Sequence, residues 1–249
     1  LTLLLEEAEK IAETNESLYN TLCRAAQVLL CAHLEGYVKD LVKNSLEDIN
    51  HYSDFKSANK FLKRKTCEYF VLLDPEQRTG EKPHAKVTEL NTLFENSGMK
   101  FKKEYFGSDE NANPKASVLE KIAKQYGIKD FFTELKKSRL DLVFSNTNSE
   151  NQILRDSIQS YVLSGTSHYP YTIELEFLEI NPGKISSDNL WDAFLSNVLK
   201  RRHDIVHGNE MENSTGHTTI ETDIVKVQIL IYAFTVFICS KCKPNISDV

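Results

Sequence analysis

Between Ser17 and Ile49 the chain runs without a proline and with a single glycine, Gly36. Leu22, Ala26, Leu29, Leu30, Leu34, Val38, Leu41 and Val42 recur across that span at helical spacing and build one wide apolar face. Such a face has to be buried against other elements, and further amphipathic stretches follow it. With 9 glycines and 6 prolines in 249 residues, the pattern predicts a mainly α chain.

Residues 2–13 extend the first long helix or form a short one before it. A second helix is expected from Asp54 to Leu73, studded with Lys60, Lys63, Arg64 and Lys65, and a short one near 85–96. FGSDENANP (106–114) reads as a loop whose Pro114 opens a helix through Tyr126. Gly127 interrupts it, and 129–143 is expected to be helical again. SNTNSEN (145–151) reads as a second loop, followed by a helix over 152–163. TIELEF (172–177) alternates with period two, which predicts a short β-strand or an extended arm. After an Asn181-Pro182-Gly183 turn, Ser186, Ser187 and Asp188 offer cap chemistry for a helix from Asn189 to Val206. The last helix is expected over 219–241, stopped by Pro244.

A formal net charge of -6 argues against nonspecific coating of nucleic acid, because that affinity comes from neutralising phosphates; it leaves room for a local basic site. The five cysteines (Cys23, Cys31, Cys67, Cys239 and Cys242) are odd in number and lie in or beside apolar segments. They read as buried thiols of a reducing compartment, with the lone C-x2-C at Cys239 and Cys242 structural. LTLLLEEAEK is charged by its sixth residue and does not read as a signal peptide. The apolar run Ile229–Cys239 is 11 residues long, too short to span a membrane. A cytoplasmic chain with no membrane partner is expected. RTGEKPH (78–84) contains a string familiar from zinc-finger linkers, but no finger flanks it, so it reads as a turn.

The chemistry gathers in LSNVLKRRHDIVHGNE, Leu195 to Glu210. One reading is a metal site. His203 and His207 stand at i and i+4 on one helical face, as in the zinc motif H-E-x-x-H, with His217 or Glu210 as a third ligand. Asp204, however, is one methylene shorter than the glutamate such a site uses as base, and Gly208 stops the helix at once. A second reading needs no metal. Arg202 supplies a permanent planar charge that matches phosphate oxygens, and His207 an imidazole that moves protons near neutral pH. Together they suit RNA cleavage in which a ribose 2′-OH attacks its own phosphodiester. The third reading is a basic helix end favoured by the macrodipole, with His207 as a polar cap.

RRHDIVHG is similar to the R-[NH]-x-I-[AV]-H-G form found among HEPN superfamily ribonucleases, where it follows an apolar helix. VLLCAHLEGYVKDLV (28–42) resembles the first long helix of such proteins, and KASVLEKIAKQYGI (115–128) the middle of the MAE-type and RiboL-PSP-HEPN branches. The resemblance implies a HEPN-type helical bundle over 1–249, with a core of about 1–74 and 186–243 and a largely helical elaboration over about 75–185. It implies a metal-independent endoribonuclease, an RNA-cleaving toxin or effector of a prokaryotic antiviral, abortive-infection or toxin–antitoxin system, with no cofactor. Arg202 would stabilise charge on the scissile phosphate, His207 would transfer a proton or hold the 2′-OH, and His203 would orient its neighbours. Glu35 fits the acidic partner that often faces the motif, and Lys200, Arg201 and Asn209 would contact RNA. Some family toxins carry a modifiable tyrosine where this chain has Asn209. A homodimer is expected, doubling the motif across a twofold axis, with ILIYAFTVFIC (229–239) contributing apolar surface beyond what one helix face buries. A cognate antitoxin or regulatory protein is the implied partner. The alternative of another class is a catalytically silent HEPN module that binds a nucleotide or a protein.

Overall fold

The computed structural model describes residues 1–73, 83–106, 114–181, 183, 189–208 and 215–244. Among them the regular structure is helical: α1 (Thr2–Ile11), α2 (Glu16–Tyr52), α3 (Lys60–Leu73), α4 (Pro83–Ser97), α5 (Ala116–Gln125), α6 (Phe131–Lys137), α7 (Asn148–Gly165), α8 (Leu190–Val206) and α9 (His217–Ser240). The mainly α, HEPN-type bundle expected from the sequence is the fold observed.

α2 is the spine. Asn15 caps it by accepting the Leu18 N–H at 3.0 Å, separating it from α1. α9 lies beside it and runs the same way, since the Tyr19 hydroxyl meets His217 Nδ1 at 3.2 Å and that of Tyr37 meets Thr235 Oγ1 at 2.7 Å. α8 runs the opposite way: Arg201 pairs with Asp223 near the start of α9, while Lys226, further along, lies 5.8 Å over the Phe194 ring. α7 flanks α9, with Arg155 donating to Gln228 at 3.0 Å. Trp191, Phe131, Phe234 and Phe237 are among the largest fully buried side chains, and Phe131 holds the last two rings edge-on at 5.1 and 5.2 Å.

Several boundaries differ from the sequence pattern, each because one side chain is spent on a turn. Asp54 accepts the Ser57 N–H at 2.7 Å, so the second helix waits until Asn59 caps it through the Phe61 N–H at 2.8 Å. α5 starts one residue beyond Lys115, and the buried Pro114 precedes this cap rather than opening the helix. Ser138 divides 129–143 into α6 and a 3-10 turn, Arg139–Phe144, by donating to the Leu135 carbonyl at 2.6 Å while accepting the Leu140 N–H at 3.2 Å. SNTNSEN is a helix start: Thr147 and Glu150 close a capping box on α7. Asn189 caps α8, and Ser186–Asp188 lie outside the described residues, as do Pro182 and most of RTGEKPH, whose Pro83 takes the first position of α4.

TIELEF becomes an extended arm running into a 3-10 turn, Leu175–Leu178. The period-two alternation is real: Tyr171 and Ile173 are buried and Thr172 and Glu174 exposed. Its backbone is satisfied by helices instead of a strand, the Thr172 N–H bonding the Gly165 carbonyl at 2.9 Å and the Glu174 N–H bonding the Tyr161 hydroxyl at 2.7 Å.

α9 is 24 residues long and, by length and composition, apolar enough to cross a membrane. Burial accounts for that character better than the shortness of 229–239, because 67% of its most apolar window lies inside the fold. Ile229, Leu230, Ala233, Phe234, Val236 and Phe237 are all buried there. The surplus assigned to a contact between copies is therefore consumed within one chain. All five cysteines are buried thiols; burial pushes Cys239 up to about 12 and Cys242 well above the ordinary thiol range.

Candidate active site at the end of α8

α8 buries Trp191, Leu195 and Val198, a stripe at i, i+4 and i+7. Arg202 occupies the next position on that stripe, so it emerges where the core ends. α2 fixes this point from below. Gln27 Nε2, buried, donates to the Val198 carbonyl at 3.1 Å, and the Cys31 thiol approaches the same oxygen at 3.8 Å. That carbonyl is one helical turn before Arg202 and is the regular acceptor of its backbone N–H. Burial pushes the Cys31 thiol up to about 11, opposed first by the charge of Arg202 and then by that of Arg201. Both guanidinium groups are thus within electrostatic reach of the α2–α8 seam.

The two arginines then part. Arg201, with 23% of its side chain exposed, pairs with the nearly buried Asp223 of α9. Burial raises the Asp223 carboxyl above its usual range, and Arg201 opposes the rise. This pair ties α8 to α9. Lys200 binds Asp204 at 2.7 Å on its own helix.

His203 and His207 are exposed, their ring centroids 4.2 Å apart. The His207 N–H closes the last turn onto the His203 carbonyl at 3.0 Å, and Gly208 follows at φ +73°, a left-handed residue that ends the helix immediately beyond the imidazole. Nothing lies within 4 Å of where a Gly208 Cβ would sit, so the glycine answers to backbone geometry and not to crowding. Arg202, His203 and His207 are brought together on the final turn and a half of α8.

Glu35 is not brought to them. Its carboxylate binds Lys39 at 2.7 Å on the same helix. With α8 antiparallel to α2, Glu35 and Arg202 lie on opposite sides of the Val198 level, about 15 Å apart along the bundle axis. The acid that does meet the motif is Asp223, which the sequence reading missed. Its signal was present: Asp223 stands with Ile220, Ile224 and Val227 on an apolar helical face, where an unpaired carboxylate would be costly. Asn209 and Glu210 lie outside the described residues. His217, considered above as a metal ligand, is held against the Tyr19 hydroxyl. Among the described residues no three His, Cys, Asp or Glu side chains converge as a metal-binding group.

A groove of about 820 Å³ opens beside the motif, with His203 and Lys200 on one wall and α5 on the other. No curated protein and no solved structure matches the chain. The RiboL-PSP-HEPN family model matches residues 1–240. The helical bundle and that match together mean that the chain belongs to the RiboL-PSP-HEPN family, a HEPN-superfamily domain for which a ribonuclease-type function is the family-level assignment.

Proposed function

We propose that this protein is a metal-independent endoribonuclease whose cleaving groups are Arg202 and His207, with His203 beside them. The observation that carries the reading is the division of labour at the end of α8: Arg201 and Asp204 are committed to ion pairs, while two imidazoles stand exposed beyond the point where Arg202 leaves the core stripe. In the reaction the ribose 2′-oxygen attacks phosphorus and the bond to the 5′-oxygen breaks, giving a 2′,3′-cyclic phosphate and a free 5′-hydroxyl. One imidazole takes the 2′-OH proton, a second gives a proton to the leaving oxygen, and Arg202 balances the charge that grows on the phosphoryl oxygens. His203 and His207 are close enough to serve one phosphate.

A homodimer brings a second set of the same groups to the cleft. Support comes from Val206, which is 56% exposed beside His207, an apolar residue that a contact between copies would cover. The biological setting proposed is that of a cytoplasmic RNA-cleaving toxin or effector of a prokaryotic antiviral or toxin–antitoxin system, restrained by a partner protein. The experiment is direct. Purified protein should cleave RNA in the presence of EDTA, and Arg202→Ala or His207→Ala should abolish cleavage without changing helicity. RNA that is bound by the wild type but never cut would identify a silent binding module, and activity lost on chelation would restore the H-D-I-V-H metal reading.

A further inference from the structure

The groove that starts at His203 carries four lysines against three carboxylates. Lys115, Lys124 and Lys129, all exposed, line it with Lys200. Its carboxylates are partly committed to backbone. Asp130 caps α6 through the Thr133 N–H at 3.2 Å, and Glu120 Oε1 accepts the Phe132 N–H at 2.8 Å. Asp192 sits in the first turn of α8, where the helix dipole offsets its charge.

The groove also continues. Ser117, Glu120 and Lys124 line a second hollow of about 700 Å³ that reaches α3; Lys121 joins the lining, and Arg64 and Lys65 share the Glu68 carboxylate at 2.8 and 3.6 Å. At its far wall stands Phe61, 39% exposed although large and apolar. Its ring edge comes to 2.3 Å from where a Gly127 Cβ would sit, so the glycine (φ +90°) makes room for this ring position. Along α5 alone, Lys115 and Lys124 are separated by about 13 Å of helical rise, enough to meet more than one phosphate. On a chain of net charge -6, cations gathered along one track supply a local attraction for phosphate that the overall charge does not.

We infer that the track from His203 past Lys129, Lys115 and Lys124 to Phe61 seats the single-stranded RNA that flanks the scissile phosphate, the lysines pairing with its backbone and Phe61 stacking a base. A groove that tracks backbone charge and ends on an exposed aromatic ring fits single strands, whose bases are free to stack. This inference rests on the cleavage site proposed above, since it is the exposed His203–His207 end that gives the track its direction.

The test is fluorescence anisotropy of a short labelled single-stranded RNA over a salt series, in a His207→Ala background that prevents cutting. Replacing Lys115, Lys124 and Lys129 together with glutamine should weaken binding at least tenfold and flatten the log–log salt slope by about 2, three contacts at about 0.7 each. Phe61→Ala should weaken binding about tenfold with the slope unchanged. With His207 restored, the lysine triple variant should cut a dinucleoside monophosphate at the wild-type rate, because so small a substrate does not reach the track. Unchanged affinity and slope in the triple variant would overturn the track while leaving the cleavage site intact, provided Arg202→Ala is inactive. Tighter binding of duplex than of single strand would overturn the single-strand assignment. A wild type that neither binds nor cuts RNA would remove the cleavage reading itself, and with it the track.

Discussion

Replacing Arg201 with alanine leaves the Asp223 side chain, 9% exposed, without the guanidinium it meets across the α8–α9 seam. Removing one member of a buried ion pair typically costs about 3–5 kcal/mol, because the other charge stays dry and uncompensated. Two features of this pair reduce the cost. Arg201 is 23% exposed, so water reaches part of it. Asp223 can also protonate, since burial already lifts its carboxyl above the usual range. The expected loss is about 2–3 kcal/mol. At about 2–4 °C per kcal/mol for a chain of this size, Arg201→Ala should melt about 4–12 °C below the wild type. Arg202→Ala removes a side chain beyond the last buried residue of α8 and should lower the melting temperature less than Arg201→Ala does. Its cleavage should vanish, whereas Arg201→Ala should keep most activity below its own melting point. The double variant Arg201→Met/Asp223→Leu should recover most of the stability, because an apolar pair carries no desolvation cost. Thermal melts by circular dichroism and a cleavage assay on the four proteins decide the matter. Equal melting temperatures for the two single arginine variants would refute the assignment of separate roles.

Gly127→Ala and Gly208→Ala should differ although both glycines have positive φ. The first strains the backbone and strikes the Phe61 ring, so it should lose more stability than the second, which meets open space and should cost about 1 kcal/mol in chemical denaturation. Lys63 holds the Glu95 carboxyl below its ordinary 4.5 and joins α3 to α4 at 2.9 Å. A lowered folded-state value contributes stability that is complete above 4.5 and fades as pH falls through the lowered value. The melting-temperature gap between wild type and Lys63→Met should therefore close on acidification, and a gap that widens would contradict the sign. Mixing inactive Arg202→Ala with inactive His207→Ala chains should restore part of the cleavage if the site is shared across a dimer; a fully active monomer in light scattering would sink that idea.

Helix content was legible because long apolar periodicity survives tertiary packing, and α2, α8 and α9 began and ended within a few residues of expectation. The boundaries that moved are those where Asp54, Ser138 or Thr147 bonds a nearby backbone group, a local choice that periodicity does not encode. At the site, Arg202 and His207 were legible as a guanidinium and an imidazole spaced across the end of an apolar helix, and Gly208 as the stop. The separate fates of Arg201 and Arg202 were not, because they depend on how far α9 is rotated when Asp223 faces α8. Glu35 failed to reach the motif for a similar reason: the sequence places it on α2 but does not say that α8 passes with its end toward the other half of that helix. The basic track was invisible until α3, α5 and α8 came side by side.

The contacts Tyr19–His217 and Tyr37–Thr235 share one sequence offset, 198 residues, and stand 18 residues apart on each helix. Two pins at equal spacing, about 27 Å from one another, work like dowels between parallel rails. Sliding α9 along α2 by a turn would have to draw both pins at once, so neither rail creeps against the other in small steps. α8 is bolted to one rail through Arg201–Asp223 and to the other through Gln27 at the Val198 carbonyl. Its last turn is accordingly mounted as a fixed tool rather than a lever. If the proposed function holds, a protein that restrains it would gain little by prying the frame apart; it would have to sheathe the end of α8, and release would amount to drawing that sheath away.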